Sequence, residues 1–303
     1  MFKKKSLLLL LLALLISFAI GCKDGKKGEK ELTVGSKEFT ENILLGKITK
    51  QYLENLGYKI KDETGLSGQA LIRESIKSGE VDLYWEYTGS AYMGFMKKEI
   101  IGIDPEDVYK EVKEWDEKEN DIIWLRHSDL NNSYAFLTTP EVSNKTGIKT
   151  ISDLAEAYNK GENLKFIANP EYFERKDGMK QVYKAYDFEI DEKQKVLLEL
   201  GLFYDALINK EGDFTIGFTT DGMIDAKELV VLEDDKSVFP VYYATPCIRG
   251  DILEANPELE GQIDKLIDLV DTETIMKLNK EVDINKKTIE EVAEEFLKDN
   301  NLI

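Results

Sequence analysis

Four aromatic residues stand where the chain turns rather than inside a strand or helix, and they are the side chains best placed to do chemistry. Tyr87 closes the run 81–87, Tyr134 opens the run 134–138, Phe218 precedes Thr219-Thr220-Asp221-Gly222, and Tyr242 follows Pro240. Rings converging from such positions would form a box of negative π-faces. That box complements a cation with no hydrogen-bond donors, such as a quaternary ammonium, which carboxylates alone cannot recognise. Thr88-Gly89-Ser90, directly after Tyr87, adds small hydroxyls and backbone N–H groups beside a ring, the mixture found in small-ligand pockets.

Other chemistries find little support. His127 is the single histidine and sits among Arg126, Ser128 and Asp129 with no serine or cysteine motif nearby, which argues against a Ser-His-Asp hydrolase. One histidine and one cysteine beyond Cys22 cannot assemble a zinc site. Gly212-Asp213-Phe214-Thr215-Ile216-Gly217 lacks the spacing and lysine of a phosphate loop. With 59 acidic residues, neighbouring acids such as Glu233-Asp234-Asp235 are ordinary, so paired-carboxylate glycoside hydrolysis is not indicated. The expectation is a non-enzymatic binder without cofactor or metal.

The elements that must position the rings follow from periodicity. A strand at 31–35, a helix carrying Phe39, Ile43, Leu44, Ile48 and Leu56, a strand at 58–62, a loop at 65–68, a helix at 70–77 closed by Gly79, and the strand at 81–87 give the order βαβαβ. In the last strand Val81, Leu83, Trp85 and Tyr87 fall on one face and Asp82, Tyr84 and Glu86 on the other, the alternation of a strand with unlike sides running out into a turn. This order predicts a parallel sheet with helices on both faces. A ligand would bind beyond the carboxyl ends of its strands, at Ser36-Lys37-Glu38 and at 87–90. Asp104-Pro105 caps a helix running through Glu119. Polar Asn131-Asn132-Ser133 then turns abruptly into an apolar strand, taken as the first crossing into a second α/β unit with segments at 150–158, 164–168, 178–186, 196–207 and 214–218. The return crossing is expected near 239–243, and residues 250–303 read as helices broken at Pro257, Asp271-Thr272 and Asp283. The expected fold is α/β and two-lobed: lobe I from 31–132 and 243–303, lobe II from 133–242.

Residues 1–21 read as a signal sequence, with Lys3-Lys4-Lys5, an apolar stretch from Ser6 to Ile20, and Ala19-Ile20-Gly21 before Cys22. Cys22 in that setting resembles the bacterial lipobox and would carry lipid, with 22–30 a tether. Cys247 is the other cysteine, so no intramolecular disulfide is expected. The formal net charge of −19 argues against nucleic acid or anionic lipid as partners.

Gly35-Ser-Lys-Glu-Phe-Thr-Glu41, Tyr84-Trp-Glu-Tyr-Thr-Gly-Ser90, Asn131-Asn-Ser-Tyr-Ala135, Thr219-Thr-Asp-Gly222, Leu232-Glu-Asp-Asp-Lys236 and Phe239-Pro240 resemble the signature stretches of the glycine betaine/carnitine/choline substrate-binding proteins of osmoprotectant ABC transporters. The likeness runs in order over nearly all of 31–303. It implies a two-lobed periplasmic-binding-protein fold of the type II, Venus-flytrap kind, outside the cytoplasm, monomeric, and delivering a compatible solute to permease subunits. It implies an aromatic cage of Tyr87, Tyr134, Phe218 and Tyr242, and polar contacts to the ligand's carboxylate from Lys37, Ser90, Asn132 and Arg175. Phe218 replaces a frequent tyrosine of the family, and Ser90 a common threonine. Two alternatives stay open: another betaine such as ergothioneine, or an amino-acid-like solute, on the same fold; and an extracytoplasmic enzyme acting on small polar metabolites.

Overall fold

The computed structural model describes residues 30–174, 178–199 and 201–303; the expected signal sequence, Cys22 and Arg175 lie outside the described residues. Among the described residues ten strands form two sheets: β1 (Glu31–Lys37), β2 (Lys59–Leu66), β3 (Leu83–Tyr87), β4 (Ile122–Trp124), β5 (Tyr134–Thr138), β6 (Phe166–Ala168), β7 (Lys195–Leu197), β8 (Phe214–Phe218), β9 (Val230–Val231) and β10 (Ala244–Arg249). The first sheet has the order β2-β1-β3-β10-β4 and the second β7-β6-β8-β5-β9. Both are α/β assemblies, as expected, and each encloses its own apolar core.

The opening βαβαβ unit folds as read: β1 pairs in parallel with β2 and β3. Gly79 ends the helix Gln69–Ser78 at φ 83°, a left-handed position that favours glycine. Asp104 accepts a hydrogen bond from the Glu106 backbone at 2.9 Å, with Pro105 in the first turn of the helix Pro105–Asn120.

Four expectations need correction. The first sheet is mixed rather than parallel, because β10 inserts antiparallel between β3 and β4. β3 has no polar face: every residue is buried, Trp85 facing the core under the helix Thr40–Asn55 and Tyr84 facing the opposite core. A helix, Thr88–Gly94, starts directly after Tyr87 where a turn was expected. The stretch 196–207 divides into β7 and a short helix, Phe203–Ile208, because Gly201 at φ 99° breaks any continuous helix.

The last helices do more than complete the first unit. Thr272–Asp283 crosses to the second, where Asn279 Nδ2 donates to the Thr220 carbonyl at 3.0 Å and Lys280 pairs with Asp225 at 2.8 Å. Any side chain at Gly222 would strike the Lys280 backbone at 2.5 Å, so the second lobe is seated closely on this helix.

A buried ion pair braces the outer core of the first sheet. Arg73 and Asp116 are both buried, Arg73 Nη1 lying 2.8 Å from Asp116 Oδ2, while Trp124 Nε1 and Asn120 Nδ2 donate to the same carboxylate at 2.7 and 2.9 Å. The guanidinium lies over Phe95 at 4.6 Å. Removing one partner strands the other charge away from water. Asp116→Ala should therefore lower stability by about 3–5 kcal/mol, read as a shifted midpoint in urea denaturation.

Candidate ligand-binding site

The rings predicted to converge are found on facing edges of the two sheets. Tyr134 and Phe218 are direct cross-strand partners on β5 and β8, their rings 5.1 Å apart and inclined by 26°. Tyr172 lies 5.7 Å from Tyr134. Tyr134, Tyr172, Tyr204, Phe218 and Asp221 border a cavity of about 240 Å³. Phe218, an exposed ring, also faces a second cavity of about 380 Å³, opposite Phe39, Thr40 and Glu41 of the first lobe and beside Asn132, Thr220 and Asn279.

Tyr87 occupies the first-lobe side but is itself buried. Its ring sits 6.0 Å from Phe39, and the Lys37 ammonium lies 5.1 Å from its centroid. Tyr242 packs on Gly89, where a Cβ would meet its ring carbons at 2.6 Å, and its backbone N–H is fixed by Asn131 Oδ1 at 2.8 Å. The structure thus brings Tyr134 and Phe218 together, places Tyr87 and Tyr242 on the opposing side, and lines neither of these two cavities with Tyr87 or Tyr242.

The described polar candidates all have partners within the protein. Lys37 does not present a free ammonium: it is buried and ion-paired with Glu86, which has no exposure at all. Glu86 also accepts from the Tyr87 backbone N–H at 2.7 Å and from the Tyr84 hydroxyl at 3.2 Å. Two charges out of water are tolerated only when paired and hydrogen-bonded, so a ligand carboxylate would have to share this lysine. The Ser90 carbonyl accepts from Gln69 Nε2 at 3.0 Å. Asn132 uses its side-chain amide to reach Glu41 Oε1 at 3.0 Å.

Glu41 is the residue that sequence reasoning missed. Its exposure is 3%, and its Oε1 accepts from both the Tyr87 hydroxyl at 2.5 Å and Asn132 Nδ2. The side chains of Thr220 and Asn279 lie against the same carboxyl and help to hold it. Phe39 was read as the first apolar residue of a helix, yet it precedes the helix Thr40–Asn55 and is exposed. The only available signal was its place one residue before the helix, next to Thr40 and Glu41. His127 is a brace at the crossing: it stacks on Tyr243 at 4.1 Å and reaches Glu106 Oε1 and the Ser128 carbonyl, each at 2.9 Å.

Comparison with known proteins now decides the family. Residues 30–299 match the model of the substrate-binding domain of ABC-type glycine betaine transport systems. The chain belongs to that family. It is similar to a protein of Pseudomonas aeruginosa named glycine-betaine-binding protein, 34% identical over 90% of this chain and 88% of the relative. It is equally similar, at 34%, to the ergothioneine transport permease/ergothioneine binding protein EgtU of Helicobacter pylori, over 89% of this chain but 47% of that longer protein. Among solved structures, apo YehZ from Escherichia coli superposes with a TM-score of 0.81 at 28% identity, covering 90% of this chain and 99% of the other. The fold is the two-lobed one of periplasmic solute-binding proteins.

Burial pushes the Glu41 carboxyl up from its ordinary 4.5, against hydrogen bonds from Tyr87, Thr220, Asn132 and Asn279. A carboxyl raised in the folded state adds stability below its unfolded pKa and loses that contribution as pH climbs through its folded value. Ionised Glu41 is accordingly a cost to the ligand-free protein. Glu41→Gln should raise the thermal midpoint relative to the parent at pH 8 and leave no such advantage below pH 4.5, measured by parallel melts across that range.

Proposed function

We propose that this protein is the extracytoplasmic solute-binding subunit of an ABC importer for quaternary ammonium compatible solutes such as glycine betaine, carnitine and choline. The observation that carries the reading is the supply of rings from two lobes: Phe218 borders the interlobe cavity opposite Phe39, Tyr134 stacks beside Phe218 at the wall of the adjoining cavity, and Tyr87 and Tyr242 stand on the opposing edge. A permanently charged onium gains from such rings without needing a donor. The names of the relatives support the solute class and the permease partnership. Lobe I comprises 31–132 and 243–303 and lobe II 133–242; Ser90 and Arg175 join Lys37 and Asn132 as polar contacts. The protein acts as a monomer and binds without turnover. A ring-bearing betaine of the ergothioneine type is the second reading, favoured by the Helicobacter pylori relative.

Calorimetry over a panel of choline, glycine betaine, carnitine, ergothioneine and amino acids tests this reading. Tyr134→Ala should cost about 0.5–2 kcal/mol of onium affinity, and Phe218→Tyr should retain binding. The uncharged analogue 3,3-dimethylbutanol should bind far more weakly than choline; equal affinity would remove the cation–π basis.

The same reading anchors the chain to the membrane through lipid on Cys22. Mass spectrometry of protein purified from its native membrane should find cleavage before Cys22 with acyl groups on it, and Cys22→Ala should release soluble protein. An intact Met1 or an unmodified Cys22 would refute the anchor while leaving the binding reading intact.

A further inference from the structure

Exposed aromatic rings are rare in this protein, and they face one space. Among the described residues, Phe39 and Phe218 are the only phenylalanine, tyrosine or tryptophan side chains left exposed, at 39% and 37%. Neither is packed into any of the three apolar cores. They come from opposite lobes and border the same cavity of about 380 Å³. Phe39 is held there by its backbone rather than by packing of its ring: its carbonyl accepts from the Asn42 and Ile43 N–H groups, each at 3.1 Å, at the start of the helix Thr40–Asn55. The neighbouring Thr40 hydroxyl donates to Asp283 at 2.8 Å. A ring kept out of a core forgoes apolar burial, and apolar surface left open within a cleft marks a ligand groove.

Tyr87 does not present its ring to this space. It is buried, its hydroxyl goes to Glu41, and the Lys37 ammonium lies 5.1 Å from its ring centroid. Its ring stands 6.0 Å from that of Phe39, and of the two only Phe39 borders the cavity. The wall also carries Asp221 and Asp283 and, among the described residues, no lysine or arginine, so the space is acidic as well as aromatic.

We infer, on the reading of the chain as an onium binder, that Phe39 is a ligand-contacting residue: it is the first-lobe ring that meets the onium head on the side opposite Phe218. A trimethylammonium group is apolar at its surface and charged at its centre. Two ring faces therefore attract its charge together, and its methyl groups cover surface that both rings otherwise leave to water.

Calorimetry on the parent, Phe39→Leu and Phe39→Tyr tests this, with the tightest binder among choline, glycine betaine, carnitine and ergothioneine as the probe. Phe39→Leu keeps apolar bulk but has no π-face, and it should weaken the probe by about three- to thirtyfold, the range for one desolvated ring. Phe39→Tyr restores a ring and should stay within about threefold of the parent, a rescue that a loosened fold would not give. Melts without ligand should leave both midpoints at the parental value, because the ring packs into no core. Phe39→Leu binding within about threefold of the parent overturns the inference, and so does Phe39→Tyr binding more weakly than that. If Phe39→Leu binds as the parent does but loses uptake in cells, the exposed ring belongs to the contact with the permease instead. A lowered midpoint for Phe39→Leu would make Phe39 a packing residue and also overturn the assignment. Any of these outcomes leaves the onium reading standing, whereas a parent protein that binds none of the four solutes removes that reading itself.

Discussion

A pair of opposite charges sealed from water, Lys37 and Glu86, fixes the carboxyl end of the first sheet. Lys37 closes β1 and Glu86 is the penultimate residue of β3, so their union ties two parallel strands at the edge where the lobes face one another. Desolvating both ions is expensive, and the cost is offset only because Glu86 collects further hydrogen bonds from the Tyr87 backbone and the Tyr84 hydroxyl. Tyr87 is thereby held on three sides: its backbone by Glu86, its ring beneath the Lys37 ammonium, and its hydroxyl by Glu41. The first-lobe edge is thus organised by electrostatics as much as by packing.

The second lobe organises its rings by another route. Tyr134 and Phe218 are neighbours because β5 and β8 pair in that register, and cross-strand aromatic pairs reinforce such pairing. Between the two edges lies the Glu41 carboxyl, joined by hydrogen bonds to the end of β3 and to the crossing at Asn132. The helix Thr272–Asp283 brings Asn279 to the same place and grips Thr220 and Asp225 across the gap. Met276 of the same helix packs on the second-lobe core, so the contact between lobes combines these polar groups with an apolar one.

What could be read from the chain followed from local rules. The βαβαβ order, the Asp104-Pro105 cap and the turn positions of Tyr134 and Phe218 are written in spacing and residue type. Alternation put Glu86 on the face opposite Trp85 but could not give its burial, because its partner Lys37 lies 49 positions away, beyond any periodicity. β10 was hidden by Pro246, a residue that argues against a central strand; here its carbonyl still accepts from the Leu125 N–H at 3.0 Å. Glu41 resembled any other acid of a strongly acidic chain, since its burial depends on Asn132, Thr220 and Asn279, which reach it only through the tertiary fold. The ring positions were legible, whereas the pairing that decides which polar groups stay free was not.

The placement of β10 also governs the order in which the molecule can be built. β4 has β10 as its sole partner in the sheet order, and one edge of β3 waits for the same strand. Both edges stay open until the chain has been synthesised through Arg249, after every strand of the second sheet. The second sheet has no such dependence on β10, so it can mature while the first remains an unfinished half with exposed strand edges. The strands made first therefore cannot complete their sheet until most of the chain exists.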